Sequence, residues 1–505
     1  MAELQRASVF AIREETTIGE LIAPSAASQF IPLRPGFEQS SEVETLENDE
    51  LVDDIGAGKG LVGLETPEGT HPAYLKHSGT EGTAPETSLM YKSALGEQYN
   101  NTTEYATIAG STAGTSTARA VIKVGTGIGA NFRVGQALLI KDGANGYAIR
   151  NVREIVGDDL HLNFNLAAAP AAGVNLGKAI HFVPKATDHP SFSAWLYGAN
   201  GGYIQAISGC RTNNISISLP AGEQAEVEFG YSGVETFWNP VQITASTRFI
   251  DFVDSGGTKV VELDQKFFKS PVAFAEHVQV KMDAASVDTI TVTYDSATGK
   301  YTLSSSASPF SLLWNTGANT ANSAATKLGF TTASDSTGST SYTSPNAMVL
   351  TAPFTPVYDQ ASNIVVKGAQ LFVGDFYNNV CRDASEVSIE IGLDQEIIES
   401  LCKTSGVLER LNVARTVSME ATLILKRHEA HLFDKFINNK DTEVMVNAGG
   451  RDSSGNWIPG QVFNFYMPQA TITQHVTGGD TVVELTLTAQ GYISTGRKDV
   501  YLNFI

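Results

Sequence analysis

The chain has 505 residues, enough for roughly three domains, and carries a formal net charge of −20. This charge argues against a surface that grips nucleic acid, because phosphate binding needs clustered Lys and Arg. Abundant glycine and only 17% charged residues favour β structure with many turns over helical bundles. The three cysteines form no CxxC pair, no 18-residue apolar run occurs, and the N-terminal segment has no signal-peptide core. We therefore expect a soluble chain made in a reducing cytosol, with no export signal.

The N-terminal region predicts an arm followed by an acidic stretch. Residues 1–35 contain short apolar patches and end in Pro32 and Pro35. The next twenty residues contain eight acidic side chains and no basic one: Glu38, Glu42, Glu44, Glu47, Asp49, Glu50, Asp53 and Asp54. A solvated acidic face is the ordinary interpretation of such a stretch. A wall that repels a polyanion is the alternative.

Residues 101–185 predict a small inserted β-barrel. A helix is predicted just before them, in SLMYKSALGE, with Met90, Tyr91, Ala94 and Leu95 on one side. Residues 101–120 have the Thr/Ser/Gly composition of a linker. Short apolar strands separated by Gly and Asp turns follow, as in small barrels.

Residues 241–350 predict a second insertion, an α+β domain ending in a linker. Ser270 and Pro271 suit an N-cap and first helical position. Phe274, Val278 and Met282 then give the helix an apolar stripe. TITVTY and KYTLS predict a hairpin, and residues 331–344 are nearly all small or polar.

Two stretches of 25 residues, 209–233 and 467–491, resemble each other. Each predicts a strand, a glycine-containing turn and a second strand with alternating apolar residues. The similarity extends upstream to SEVETLENDELVDD at Ser41 and SEVSIEIGLDQEIIES at Ser385. We infer a mainly β chain with a duplicated unit: a first copy at 36–100 and 186–240, a second at 351–495, and a terminal strand at 496–505. The second copy includes a predicted helix with Leu432, Phe433, Phe436 and Ile437 on one face. Chance similarity between amphipathic hairpins is the alternative.

Motifs for catalysis, cofactors or metals are incomplete. GAGKGL at Gly56 lacks the spacing of a phosphate loop, and His428 and His431 stand in HExH rather than HExxH, without a third ligand. We expect no catalytic residue, no cofactor and no metal. The tryptophans could instead line sugar sites of a carbohydrate-binding β-sandwich adhesin, although core or interface positions explain each more simply: Trp195, Trp238, Trp314 and Trp457.

The order of several segments resembles the tail tube proteins of long-tailed bacteriophages. These segments are LFVGDFYNNVCRDASEVSIEIGLDQEIIES, RTVSMEATLIL, NFYMPQATITQ and VVELTLTAQG in the second copy, and SGCRTNNISISLPAGEQAEVEFGYSG with NPVQI in the first. The resemblance implies β-sandwich units, each with a flanking helix, whose strands join across subunits into rings. It implies a structural virion protein, assembled in the host cytoplasm, that works with a tape measure protein and tail-end proteins. The inner tube of a contractile tail is the alternative within this class.

Three expectations follow from this resemblance. The eight acidic residues between Glu38 and Asp54 should line the lumen, through which DNA passes without specific binding. The segment 101–185 should be replaceable by a Gly/Ser linker without loss of tubes, since its ends adjoin in the repeat. Three chains should form a pseudo-hexameric ring, because each holds two copies. Hexameric rings are the alternative.

Overall fold

The structure is a computed structural model that describes residues 7–48, 59–199, 201–359, 361, 363–377, 380–426, 430–479, 482–494 and 496–505. As the sequence predicts, the chain is mainly β, with three α-helices in the described part.

The elements before and within the first insertion are β1 (Val9–Glu14), β2 (Phe30–Ile31), β3 (Glu38–Leu46), β4 (Leu61–Tyr74), α1 (Ser88–Leu95), β5 (Gly96–Asn101), β6 (Tyr105–Ala106), β7 (Val121–Lys123), β8 (Ala137–Ile140), β9 (Ala148–Val156), β10 (Asp159–Leu162) and β11 (Asn175–Leu176). The first unit continues with β12 (Ala179–Pro184), β13 (Phe192–Tyr197), β14 (Ile204–Pro220), β15 (Glu226–Ser232) and β16 (Glu235–Trp238).

The second insertion contains β17 (Val241–Gln242), β18 (Phe249–Asp254), β19 (Gly257–Glu262), β20 (Phe267–Phe268), α2 (Pro271–Ala285), β21 (Ile290–Asp295), β22 (Lys300–Ser305), β23 (Phe310–Leu312), β24 (Ser336–Ser339) and β25 (Ser341–Thr343). The remaining elements are β26 (Gln370–Gly374), β27 (Ala384–Glu399), β28 (Val407–Ile424), α3 (Ala430–Ile437), β29 (Thr442–Arg451), β30 (Trp457–Gly478), β31 (Glu484–Gly491) and β32 (Tyr501–Phe504).

All three predicted helices form, and the third leaves part of its apolar face exposed. The N-cap of α2 is Ser270, whose Oγ accepts a hydrogen bond of 3.2 Å from the Ala273 amide. In α3 only Leu432 of the predicted face is fully buried, while Phe433 and Ile437 are exposed. The helix forms as predicted, and its apolar face is only partly covered within the chain. Within the chain α3 packs mainly on β30, through Phe433 and Phe436 on the ring of His475.

Eight strands form one continuous antiparallel sheet, in the order β3, β4, β15, β14, β27, β28, β31, β30. The long strands β14 and β30 leave this sheet in their first halves. There β14 pairs with β13 and β16, and β30 pairs with β29 and β32, which makes a second layer for each unit. One hydrophobic core fills the space between the layers and runs through both units.

The strand order repeats within this sheet. The first four strands (β3, β4, β15, β14) and the last four (β27, β28, β31, β30) have the same neighbours in the same order. The registers make Ser41 equivalent to Ile391, rather than to Ser385 as the sequence match suggests. The repeated order supports an internal duplication, while the domain limits stay a prediction.

The first insertion is a closed six-stranded arrangement with its own core. Its sheet has β6 and β7 at its two edges, and bridges from Thr107 to Val124 and from Thr112 to Val121 join these edges. β12, which lies within the expected insertion 101–185, pairs with β5 and β32 of the main body. We therefore propose about 102–178 as the insertion, since its flanking residues Asn101 and Ala179 lie opposite each other.

This barrel packs closely on the second unit through a buried polar network. Asn464 of β30 donates to Asn447 of β29 at 2.7 Å, and its side-chain oxygen accepts from Asn151 of the barrel and Asn503 of β32, both at 2.8 Å. All four asparagines are fully buried. Apart from Asn447 Nδ2, which has no partner among the described residues, these amides satisfy each other without a buried charge. The network therefore fixes the orientation of the barrel.

A buried carboxylate joins the same two parts. Glu443 of β29 lies 3.0 Å from Arg153 of the barrel and also contacts Arg119. Burial raises the pKa of Glu443, and the two guanidinium groups act against that rise. Two apolar clusters surround this contact: Phe164 with Phe372, Met445, Tyr466 and Tyr501, and Ala137, Leu139, Ile149 and Ala179 with Trp457, Val462 and Ile505.

The core of the first unit contains a histidine whose protonation should destabilise the fold. His71 of β4 is fully buried against Phe10 and Phe37, and no described group hydrogen-bonds its ring nitrogens. Burial lowers the pKa of His71 to about 3. Between pH 6.5 and about 3 the unfolded chain binds a proton that the folded chain does not, so the free energy of unfolding should fall as pH falls, by several kcal/mol at most (about 1.4 per pH unit).

Denaturant titrations at pH 7 and pH 4 would measure this effect. His71→Phe should reduce the loss of stability at pH 4, whereas His161→Phe, at a less buried barrel position, should leave it unchanged. An equal acid dependence in wild type and His71→Phe would contradict the prediction.

Candidate functional site

The outward face of the eight-stranded sheet is the most distinctive surface of the chain. Successive side chains of a strand point to opposite faces. In β15, Val227 and Phe229 enter the core, so Glu226 and Glu228 point outward and are exposed. Directly paired residues of neighbouring strands lie on the same face of a sheet. The strand registers therefore show which residues of every other strand also point outward.

Glutamates of different units meet in single rows on this face. Glu228 lies opposite Ser216, and Ser216 lies opposite Glu390. One row further, Ser388 of β27 lies opposite Glu420 of β28. Both units therefore contribute carboxylates to one surface.

Ten acidic residues face outward in this way: Glu38, Glu42, Glu68, Glu226, Glu228, Glu386, Glu390, Asp394, Glu420 and Glu484. None of the described residues of these strands places a Lys or Arg on the same face. Arg211 and Arg410 are buried, and Arg415 points inward to Asp499 at 2.6 Å. Arg34, which precedes β3, pairs with Glu226 at 2.7 Å on this face. The other nine carboxylates give the surface a negative potential, which repels other anions.

The acidic stretch predicted from the sequence coincides with this face only in part. Glu38 and Glu42 lie on it. Glu44 lies further along the β3–β4 hairpin, and Glu47 follows the end of β3, where both are exposed. The other four predicted residues lie outside the described residues: Asp49, Glu50, Asp53 and Asp54.

Sequence reasoning missed the acidic residues of the other strands. Glu228, Glu390 and Glu420 are far apart in sequence, and only strand pairing brings them together. Each sits between buried apolar neighbours in an alternating strand, so the alternation was a usable signal for their outward direction.

The other candidates from the sequence form no site in the described residues. Gly56 and His428, with their incomplete motifs, lie outside the described part. Within that part no group of three or more His, Cys, Asp or Glu could hold a metal ion, and no helix is long and apolar enough to cross a membrane. Trp195, Trp314 and Trp457 are buried, whereas Trp238 is half exposed and stacks on Tyr203.

Comparison with known families decides between the remaining interpretations. The sequence profile of phage tail tube proteins matches residues 5–296, more than half of the chain. The chain belongs to the phage tail tube protein family. A search of curated proteins finds no match.

Membership makes this tail tube protein a structural component of the virion tail, which favours that role over a carbohydrate-binding adhesin. The matched range includes the first unit, the barrel and the start of the second insertion. The second unit of the tail tube protein lies beyond the match, and its likeness to the first rests on the repeated strand order.

Proposed function

We propose that the chain polymerises into the tube that conducts phage DNA, with the outward acidic face of the eight-stranded sheet lining the channel. The observation that carries this proposal is the set of ten carboxylates on one face without a Lys or Arg among the described residues of those strands. The opposite side of the same sheet packs against helices and the second layer, so only this face is open to a channel.

An acidic lining suits passage rather than binding. Duplex DNA carries one negative charge per roughly 1.7 Å, and Lys or Arg contacts to it would hold it in place. Repulsion acts over a Debye length of about 8 Å at physiological salt, which keeps the duplex away from the wall. DNA can then move without breaking contacts at each step.

A ring of three chains is the expected assembly. Each chain supplies eight strands in two equivalent sets of four, so three chains would present six sets with approximate sixfold symmetry. Head-to-tail contacts close into a ring when the rotation per unit fits, and covalent linkage of two units leaves that rotation unchanged.

Electron microscopy and mass measurement of isolated rings test this stoichiometry. We expect tubes or stacked rings, with three chains per ring. Six chains per ring would contradict the pseudo-hexamer, and purified chain that forms neither rings nor tubes, even on a tail template, would contradict the proposed function.

The finer features of the role come from the family resemblance. We propose a non-contractile tail, contacts with a tape measure protein and tail-end proteins, assembly in the host cytoplasm, and no catalytic activity. Micrographs of the virion would test the tail type, since a sheath around the tube would indicate the contractile alternative.

A further inference from the structure

The chain contains one complete junction between two units, and this junction has a defined register. β14 of the first unit pairs antiparallel with β27 of the second over residues 214–220 and 386–392. Ile217 lies opposite Ile389 on the core side, and Ser216 lies opposite Glu390 on the outward side. The two four-strand sets are thereby joined by backbone hydrogen bonds.

Two further contacts reinforce this junction. The far end of the β27–β28 hairpin lies on the first unit, where Arg410 donates to the Gly233 carbonyl at 2.6 Å and the Ser405 carbonyl accepts from the Glu65 amide at 3.2 Å. In addition, Phe504 of the second unit covers α1 through Tyr91, with ring centroids 5.6 Å apart.

The counterparts of these elements, at the two ends of the sheet, have an open edge within the described chain. From Thr471 to Gly478, β30 pairs with β31 on one side, and no described strand pairs with its other side. Beside it, Phe433 and Ile437 of α3 are exposed by 48% and 64%. Their position corresponds to that of the buried helix α1 in the first unit.

The other end of the sheet is open in a complementary way. Within the described chain β3 pairs only with β4. The far end of the β3–β4 hairpin corresponds to the part of β27–β28 that lies on the first unit. Here it exposes four apolar side chains, up to 81% at Val62: Val43, Leu46, Leu61 and Val62.

We propose that these two ends form one interface between two copies of this chain, in which residues 474–478 of β30 pair antiparallel with residues 38–42 of β3 in the next copy. The inference rests on the proposed polymerisation and specifies its contact. In this interface the far end of the β3–β4 hairpin lies on the second unit of the preceding copy. This contact is equivalent to the one inside the chain, where the far end of the β27–β28 hairpin lies on the first unit. It covers apolar surface that an isolated chain leaves exposed.

The internal junction sets the register of this contact. Ser216 of β14 corresponds to Val476 of β30, because their partners Glu228 and Thr486 occupy equivalent positions of β15 and β31. In the same way, Glu390 of β27 corresponds to Ser40 of β3. Glu390 is in the row of residues that ends at Gln490 of β31, and Ser40 is in the row that ends at Ser232, the equivalent position of β15. The observed pair of Ser216 with Glu390 therefore becomes Val476 with Ser40 of the next copy.

Charge distribution favours this pairing over the pairing of like edges. Two β3 edges would bring Glu38 and Glu42 of one copy against those of another, and like charges facing each other destabilise a strand pair. From Thr471 to Gly478, β30 carries no acidic or basic residue other than His475. A long uncharged edge is a template for another strand, and β3 can use it without charge repulsion.

Disulfide trapping tests the register. In a Cys381→Ser, Cys402→Ser background, Ser40→Cys is combined with Val476→Cys, and assembled protein is oxidised. We expect a reducible ladder of chain multiples in denaturing gels, ending at the number of chains in a ring. Ser216→Cys with Glu390→Cys is the matched control, since this pair should close within one chain and give no ladder.

Two other variants define the outcomes that overturn the inference. Val43→Cys with Val476→Cys places the thiols out of register, and Val476→Cys alone reports pairing of two β30 edges. A ladder of equal strength from the out-of-register variant, or efficient dimers from the single variant, overturns it. Tubes in micrographs without a Ser40–Val476 ladder also overturn it but leave the proposed function standing. Absence of rings and tubes from the wild type as well overturns both.

Discussion

Changing Glu228, Glu390 and Glu420 to lysine is expected to leave rings and tubes intact and to slow the release of DNA. All three side chains are exposed on the outward face of the sheet, so the substitutions leave the core unchanged. Each lysine adds a possible phosphate contact. Each phosphate neutralised in this way changes the logarithm of the DNA-binding constant by about 0.9 per tenfold change in salt concentration. With three lysines per chain, release should slow by an order of magnitude or more at low salt.

The measurement is the time course of DNA release from virions that carry the variant, at two salt concentrations. Glu20, Glu154 and Glu276 are exposed glutamates away from this face, and their change to lysine is the matched control with the same net charge. We expect slowing only in the first variant, with recovery at high salt. Equal release from both variants and wild type would show that the acidic face does not line the channel.

Removing the barrel is expected to abolish soluble protein, contrary to the expectation from the sequence. Replacing residues 102–178 by a Gly/Ser linker is sterically simple, because Asn101 and Ala179 already lie opposite each other. However, it would expose Trp457, Tyr466 and Tyr501, which the barrel helps to bury. Each large apolar side chain exposed costs roughly 1.5–3 kcal/mol, so a few of them approach the whole stability of a typical domain.

Solubility and thermal unfolding of the deletion variant measure this effect. Phe164→Ala should reproduce part of it, at about 3–5 kcal/mol, because the ring is fully buried against Phe372. Lys123→Ala removes a surface ion pair with Asp159 on the barrel and should change stability by less than about 1 kcal/mol. A soluble, monodisperse deletion variant that still forms tubes would restore the idea of a detachable decoration.

Local features of the fold could be predicted from the sequence, because they depend on neighbouring residues. Ser270 and Pro271 mark the start of α2, and the alternation in TITVTY and KYTLS gives the β21–β22 hairpin. The pairing of β12 with β32 could not be predicted in this way, because it joins residues more than 300 positions apart.

The acidic face was predictable only where its residues are close in sequence. Glu38 and Glu42 stood out because eight acidic residues lie between Glu38 and Asp54 with no basic residue among them. Glu390 and Glu420 gave no such signal, since each is a single acidic residue in an alternating strand. Their common surface exists only once β27 and β28 are paired.

The joining of two units in one chain also affects how the protein can evolve. In a ring of identical single units, a substitution at one junction appears at every junction, so all must tolerate it. Here the junction within the chain, with Ile217 opposite Ile389, is encoded separately from the open ends at β3 and β30. Selection can therefore change the first junction without changing the second, whose open ends combine exposed apolar residues with polar positions on β30. The exposed Gln474 and Thr477 are two of these polar positions.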